Sequence, residues 1–372
     1  KIITRGYYFV DKTLLIKDLL DNKADVNLFT RPRRFGKTLN MSMLQYFFED
    51  ERQWNTGEKK DNTYLFEGLN IMKEGEKYTS YMGKYPVINL SLKSAKQSSL
   101  ELAFRCLREE IANEFERHKF ILESDDLKDQ KEEFLKIAHK NEDTALYTTS
   151  LRFLSECLEK YYGKKAIILI DEYDVPLENA FFEGFYKEMV SFLRSLFESA
   201  LKTNPHLEFA ILTGCLRISK ESIFTGLNNL EIISILNKSY DEYFGFTNEE
   251  VKKICNDYNM ESKYDVIKDW YNGYIFGDAN VYNPWSVMRF IKDLTFDINE
   301  YPKSYWANTS SNSIVKSLIE RADDITKSEI EALIEGKTIE KPVHEDICCE
   351  EMLSFLKITC IISCILQATL RK

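Results

Sequence analysis

Residues that interrupt regular structure are scarce in this sequence of 372 residues. It has 14 glycines and 7 prolines, whereas hydrophobic residues make up 44% and charged residues 30%. This composition excludes a disordered, collagenous or low-complexity chain. No apolar run reaches the roughly 18 residues of a membrane-spanning helix, because Lys357 and Gln367 interrupt the nearest approach at 353–370. At roughly 150 residues per domain, we expect two or three folded units and no membrane association.

Spacings typical of metal-binding and redox sites are also lacking. No two of the eight cysteines have Cys-x-x-Cys spacing, and no ligand spacing relates the four histidines, His118, His139, His206 and His344. We therefore expect reduced thiols in a cytoplasmic protein. Acidic residues outnumber basic ones by 60 to 50, and the net charge of −10 opposes nucleic-acid binding by the whole surface.

Five short apolar runs rich in β-branched residues alternate with longer amphipathic stretches. The runs lack polar alternation, as expected of strands covered on both faces of a parallel sheet. A charged segment at 98–160 has apolar residues at helical spacing and predicts two or three helices. The predicted fold class is α/β, with strands at 26–30, 87–90, 166–170, 209–213 and 231–235.

The pattern after Gly245 is mostly helical and includes an aromatic segment at 270–285. We interpret this segment as a packed helix-to-loop corner, with a base-stacking platform for single-stranded nucleic acid as the alternative. The predicted domains are 1–245, with a helical insertion at about 98–160, and a helix-rich region at 246–372. Because residue 1 is Lys rather than Met, we expect the sequence to be a fragment.

The run at 26–30 is followed by a loop and then by helical periodicity. The loop ends in Gly-Lys-Thr like a phosphate-binding loop, in which backbone N–H groups and a helix N-terminus bind an anion. Lys37 would reach the β- and γ-phosphates, and Thr38 would bind Mg²⁺. The predicted nucleotide-binding residues are Arg31, Pro32, Arg33, Arg34, Phe35, Gly36, Lys37 and Thr38.

Arg31 occupies the place of the first glycine in the general motif. A residue with a side chain there lacks the conformational freedom of glycine, which implies a differently shaped loop. The arginines of the loop are interpreted as phosphate-binding or loop-packing groups. The alternative is a loop that ends in Gly-Lys-Thr without binding phosphate and is solvated by its arginines.

Two carboxylates follow the strand predicted at 166–170. Ligands of doubly wound sheets bind beyond the carboxyl ends of the strands, so Asp171 and Lys37 are expected to face the same crevice. Asp171 would support Mg²⁺, and Glu172 would polarise the attacking water. This second motif strengthens the interpretation of the first as a nucleotide site.

The strand predicted at 209–213 ends in Thr213 and is followed shortly by Arg217. Thr213 could orient the attacking water and Arg217 could stabilise the departing phosphate; the alternatives are a strand-ending threonine and a surface arginine. A GTPase would be expected to have Asn-Lys-x-Asp, whereas Asn237 and Lys238 are followed by Asp241, one residue out of register. We therefore favour ATP over GTP.

These motifs resemble the bacterial AAA-ATPase-like family. The similarity includes the loop, the acidic strand end and further segments at 7–13, 171–174, 212–214, 217–219, 222–230, 243–246, 270–274 and 282–286. Arginine at the first-glycine position is usual in that family. The resemblance implies a P-loop NTPase core, a three-layer α/β/α parallel sheet, with ATP and Mg²⁺ bound.

Members of this family often end in a nuclease-like domain of the PD-(D/E)XK type. None of the seven prolines here is followed by Asp, so the first nuclease signature is absent, and we expect the tail at 360–372 to be truncated or frame-shifted. The leading hypothesis is a Mg²⁺-dependent ATP hydrolase. The alternative is a nucleotide-gated interaction module that regulates an unknown protein partner or a missing effector domain; nucleic acid enters as a partner by family analogy alone.

Overall fold

The structure, a computed structural model, describes residues 2–53, 55–215, 223–224, 227–305, 323–335 and 337–339. The chain divides into two compact units. The first unit comprises Lys1–Arg31 and Lys37–Ile233, and the second comprises Pro32–Gly36 and Ser234–Lys372. A five-residue piece near the start of the chain therefore groups with its C-terminal part.

The first unit is built on a parallel sheet of five strands in the order β2-β3-β4-β1-β5. All five predicted strands are confirmed, with ends that differ by at most two residues. The register pairs Phe29 with Thr213 and Ile170 with Leu212, so β1, β3 and β4 end at the same edge of the sheet. The strands are β1 Val26–Thr30, β2 Val87–Ser91, β3 Ala166–Asp171, β4 Leu207–Gly214 and β5 Leu230–Ile233.

Helices surround this sheet. Every residue of β1 and β3 is buried, and because successive side chains point to opposite faces, both faces are covered. The helices of the unit are α1 Leu14–Asn22, α2 Lys37–Phe48, α3 Glu76–Thr79, α4 Leu100–Arg117, α5 Lys131–Ala138, α6 Ser150–Tyr162, α7 Val175–Glu183 and α8 Tyr186–Leu201. The predicted α/β class is confirmed, and the charged segment between β2 and β3 forms three helices, α4, α5 and α6.

Short 3-10 helices connect the main elements of both units. They lie at Ile3–Arg5, Thr63–Leu65, Asn70–Lys73, Leu92–Ala95, Lys119–Glu123, Asp125–Leu127, Thr144–Thr148 and Glu261–Lys263. None of the helices in the described ranges is long and apolar enough to cross a membrane.

In the residues that the structure describes, the second unit contains helices and an antiparallel hairpin. Its elements are α9 Asn248–Asp257, α10 Tyr264–Tyr271, β6 Asn272–Phe276, β7 Ala279–Tyr282, α11 Pro284–Phe296 and α12 Asp324–Ile334. The hairpin lies where a helix-to-loop corner was expected. In the strand, Tyr274 and Phe276 are buried and Ile275 is exposed, but Ile275 is apolar like its neighbours, so the sequence lacks the polar alternation that would indicate a strand.

A buried ion cluster joins α4 to the sheet. Arg117 donates to both carboxylate oxygens of Glu114, at 2.6 and 2.9 Å, and also to Glu49, while Glu114 accepts the backbone N–H of Asn89 at 2.8 Å. Burial alone would raise the pKa of Glu114, but the charge and hydrogen bonds of Arg117, aided by His118, lower it to about 2. The folded protein therefore favours the ionised form of this carboxyl group.

We expect Glu114 to stabilise the fold above its ordinary pKa of 4.5 and to lose that contribution as the pH falls towards 2. The shift corresponds to on the order of 3 kcal/mol at neutral pH. In urea unfolding at pH 6 and pH 3, Glu114→Gln should reduce the loss of stability on acidification. Glu116→Gln on the same helix, whose side chain is 39% exposed, is the control. An equal loss in wild type and Glu114→Gln would contradict the assignment.

Candidate functional site

Helix α2 begins at Lys37, directly after the loop that follows β1. The Lys37 side chain is 6% exposed, and its Nζ donates to the carbonyl oxygen of Arg31 at 2.8 Å. The same Nζ lies 3.3 Å from Sγ of Cys215, just beyond the end of β4. The lysine therefore closes the base of the loop, with its ammonium group at the edge of the sheet where β1 and β4 end.

Arg31, at the base of the loop, contacts the backbone at three strand ends. Its side chain is fully buried, and its guanidinium donates to the carbonyl oxygens of Thr30 at 3.1 Å and Ile233 at 2.8 Å. Its backbone N–H donates to the carbonyl of Gly214 at 3.0 Å. Arg31 thus ties the end of β1 to the ends of β4 and β5, and its carbonyl positions Lys37.

The three strand ends meet at the carboxylate of Asp171. The hydroxyl of Thr38, in the first turn of α2, donates to Oδ2 of Asp171 at 2.6 Å, and the hydroxyl of Thr213 donates to Oδ1. Thr38 follows β1, Asp171 ends β3 and Thr213 lies at the end of β4, and β4 lies between the other two strands. The strand order explains how residues that are far apart in sequence converge.

Glu172 lies next to this cluster in a backbone conformation that is unusual for glutamate. Its φ is +56°, in the left-handed region that non-glycine residues seldom adopt. Burial raises its pKa, and the charges of Asp171 and Asp174 raise it further, whereas Lys93 and Lys37 act in the opposite direction. The result is a half-buried carboxyl group whose affinity for a proton is higher than usual.

The ends of β3 and β4 are held close together by direct contacts. Asp174 is 1% exposed, and its Oδ2 accepts the backbone N–H of Cys215 at 2.8 Å. The backbone N–H of Tyr173 donates to the carbonyl of Thr213 at 3.1 Å. A Cβ on Gly214 would lie 2.5 Å from Cε1 of Tyr173 and 2.9 Å from Oδ1 of Asp174, so the close approach requires glycine.

The other predicted nucleotide-binding residues lie at the tip of the loop. Pro32, Arg33, Arg34, Phe35 and Gly36 form the tip of the loop and belong to the second unit. Arg34 and Gly36 have φ of +71° and +87°, so the loop takes a sharp local course before α2 begins. Arg217 lies outside the described residues.

Sequence reasoning did not single out Asp174, Cys215 or Lys93 as neighbours of the site. Asp174 had a signal, because it closes the Asp-Glu-Tyr-Asp motif. Cys215 and Lys93 had none, because their proximity to Lys37 and Glu172 depends on the order of strands in the sheet.

The donor set suits a magnesium nucleotide. The hydroxyl of Thr38 and the carboxylate of Asp171 are hard oxygen ligands in contact with each other, and Mg²⁺ prefers such ligands. The described part of the chain contains no group of three or more His, Cys, Asp and Glu side chains that could hold a metal ion. A site with only one or two protein ligands is typical of Mg²⁺, because this ion keeps several water ligands and also binds substrate phosphates. Lys37 and the N-terminus of the twelve-residue α2 add positive charge.

A parallel sheet in which a strand leads through a loop ending in Gly-Lys-Thr into a helix, and in which another strand ends in carboxylates, defines a P-loop NTPase-like α/β protein. The model of one family, AAA-ATPase-like, described as predicted AAA-ATPase, matches residues 1–224, more than half of the chain. The chain therefore belongs to the AAA-ATPase-like family.

A curated relative from Azotobacter chroococcum mcd 1 bears the name "Uncharacterized protein in vnfD 5'region". It is 27% identical over 318 residues, which cover 84% of this chain and 52% of the relative. The chain thus spans about half the length of the curated relative it matches. No solved structure matches the chain.

Gly214→Ala should destabilise the first unit by about 1–3 kcal/mol, because the added methyl group overlaps Tyr173 and Asp174 at the sheet edge. Chemical unfolding measures this change. Cys215→Ala at the next position removes atoms instead of adding them and is the matched control. A Gly214→Ala variant as stable as wild type would show that the two strand ends are not packed this closely.

Proposed function

We propose that this chain binds Mg·ATP through the loop at 31–38 and hydrolyses it at the adjoining strand ends. The observation that supports the proposal is the convergence of Thr38 from the start of α2 and Thr213 from the end of β4 on the carboxylate of Asp171 at the end of β3. The family description adds support at a coarser level, since it names a predicted AAA-ATPase.

In the proposed complex, Lys37 exchanges its contact with the carbonyl of Arg31 for the β- and γ-phosphates. Thr38 and Asp171 would hold Mg²⁺, directly or through water. When bound, the ion would partly neutralise the negative charge of the phosphates. The contact between Thr38 and Asp171 brings the two proposed metal-holding side chains together.

Glu172 is the proposed general base. Its carboxylate takes a proton from water as the water oxygen bonds to the γ-phosphorus. The bond from the γ-phosphorus to the bridging oxygen breaks, giving ADP and phosphate. A raised pKa makes Glu172 a stronger base than an ordinary glutamate. In the proposal Thr213 orients the water and Arg217 stabilises the leaving phosphate.

A nucleotide-gated interaction module is the second candidate. The specific observation in its favour is that the loop tip, Pro32–Gly36, groups with the second unit rather than with the sheet. Mg·ATP would then change the state of the second unit with little or no hydrolysis, and an unknown protein would read that state. Protection from proteolysis by Mg·ATP without phosphate release would favour this candidate.

A cytoplasmic location is also part of the proposal. The cysteines that the structure describes form no disulfide bonds with one another; they are Cys106, Cys157, Cys215 and Cys255. Reduced thiols are typical of proteins in a reducing compartment, where glutathione and thioredoxin prevent disulfides from accumulating.

Paired substitutions separate binding from turnover. Lys37→Ala should weaken Mg·ATP binding by at least about tenfold, because it removes the cation that contacts the phosphates. Glu172→Gln should retain binding and lose about 10²- to 10⁴-fold in turnover. Isothermal titration with Mg·ATP and Mg·GTP, run beside a phosphate-release assay, measures both effects.

The control is Lys73→Ala, at an exposed lysine of the same unit. Wild-type binding by Lys37→Ala, or wild-type turnover by Glu172→Gln, would reject the respective assignment.

The pH dependence of turnover tests the environment of Glu172. Hydrolysis needs the carboxylate, so the rate should fall as the pH drops through a pKa that lies above the ordinary value of 4.5. Lys93 lowers that pKa, so Lys93→Met should move the acid limb of the rate profile to higher pH. An acid limb that Lys93→Met leaves in place would contradict the proposed arrangement.

A further inference from the structure

The tip of the phosphate loop is anchored by an aromatic side chain. Phe35 is 1% exposed, and its ring packs edge-on against Tyr274 with 4.8 Å between the centroids. A second contact, tilted and with 5.1 Å between centroids, joins it to Phe276. Both partners lie on β6 of the hairpin and are themselves buried. Aromatic pairs at these separations add to the stabilisation from buried area alone.

The backbone beside Phe35 is fixed to the same hairpin. Gly245 donates its N–H to the carbonyl of Phe35 at 3.2 Å. Its φ is +97°, and a Cβ there would lie 3.1 Å from Cδ1 of Phe35 and 3.0 Å from Cβ of Val281, so this close contact depends on glycine. The next residue, Phe246, forms an antiparallel bridge with Tyr282 of β7. The segment that holds the Phe35 carbonyl is therefore itself attached to the hairpin.

Arg34 provides a second attachment. Its guanidinium lies over the ring of Trp285 at 4.2 Å from the centroid. Trp285 lies in the first turn of α11, where Asn283 accepts the backbone N–H of Ser286 at 3.1 Å and caps the helix. A φ of +71° is unfavourable for arginine, and such conformations persist where the surrounding structure holds them. The two side-chain attachments and the hydrogen bond from Gly245 supply that support.

The anchored residues are adjacent in sequence to the proposed phosphate-binding residues. One residue, Gly36, separates Phe35 from Lys37, the first residue of α2. The packing of Phe35 therefore restrains the backbone within one residue of the start of the helix. Conversely, a ligand that orders this backbone must favour the packed state of Phe35, because coupling between two sites is reciprocal.

We propose that Phe35 is a positioning residue through which the second unit sets the affinity of the phosphate loop for nucleotide. The inference rests on the proposed function, because it assigns a regulator to the same loop. A partner that loosened or tightened the hairpin β6–β7 would thereby change nucleotide binding without contacting the nucleotide.

Hydrogen exchange and titration with Mg·ATP on the full chain test this inference. In wild type, Mg·ATP should slow amide exchange both at the start of α2 and in the hairpin at 272–282. In Phe35→Ala, the dissociation constant for Mg·ATP should rise at least about fivefold, and Mg·ATP should no longer slow amide exchange in the hairpin while it still does so in α2.

Two further variants test the same anchoring. Phe35→Leu retains an apolar side chain without the ring contacts, and Trp285→Ala removes the partner of Arg34 at a partly exposed site. Both should shift the dissociation constant in the same direction, so the test stands if Phe35→Ala does not fold.

Trp270→Ala is the matched control. Trp270 lies in α10 of the same unit, is 40% exposed and has no ring contact with the loop tip among the described residues. It should leave amide exchange and the dissociation constant for Mg·ATP unchanged.

Two results would overturn the inference and leave the proposed function intact. One is protection of α2 by Mg·ATP without any change in the wild-type hairpin, and the other is wild-type affinity in folded Phe35→Leu and Trp285→Ala. Failure of Mg·ATP to bind wild type at all would overturn the proposed function and this inference with it.

Discussion

Two threonine hydroxyls donate to the single carboxylate of Asp171, and the candidate site depends on this shared acceptor. Through Thr38 it fixes the first turn of α2, and through Thr213 it fixes the end of β4. One side chain at the end of β3 thus joins the end of β4 to the helix that follows β1, and β4 lies between β1 and β3 in the sheet. The oxygen atoms that hold the sheet edge together are also the ones that would hold a magnesium nucleotide. The proposed function thus assigns a chemical role to a side chain that also has a structural one.

The loop at 31–38 is supported at two places by different means. Its base is polar and belongs to the first unit. There the buried Arg31 side chain donates hydrogen bonds to backbone carbonyls, and the Lys37 side chain donates one to the carbonyl of Arg31. Its tip is aromatic and belongs to the second unit, where Phe35 packs against Tyr274 and Phe276. An arginine at the first-glycine position is therefore compatible with the loop, because its side chain stabilises the strand ends beneath it. Arg34 at the loop tip and Glu172 at the acidic strand end both have left-handed backbone conformations.

Local patterns were sufficient to predict the strands and the loop, because buried parallel strands and a Gly-Lys-Thr turn leave signals within a few residues. The expectation that Lys37 and Asp171 face one crevice came from the rule that ligands bind beyond the carboxyl ends of strands; in the structure, the next residue, Thr38, contacts Asp171. The contacts of Cys215 and Lys93 could not be predicted, because they depend on which strands are neighbours. The hairpin after Tyr271 was missed, because its period of two spans five residues and lies within an aromatic segment. The anchoring of Phe35 was missed because its partners lie in a distant part of the chain.

The central claim is that the carboxylate of Asp171 serves the bound nucleotide as well as the sheet edge. Mn²⁺ prefers the same oxygen ligands as Mg²⁺ and reports its own binding by electron paramagnetic resonance. With ATP present, wild type is expected to bind Mn²⁺, and Asp171→Asn is expected to bind it at least about tenfold more weakly. Asp125→Asn, at a carboxylate that is 87% exposed, should bind it as wild type does. Equal Mn²⁺ binding by wild type and a folded Asp171→Asn variant would contradict the account.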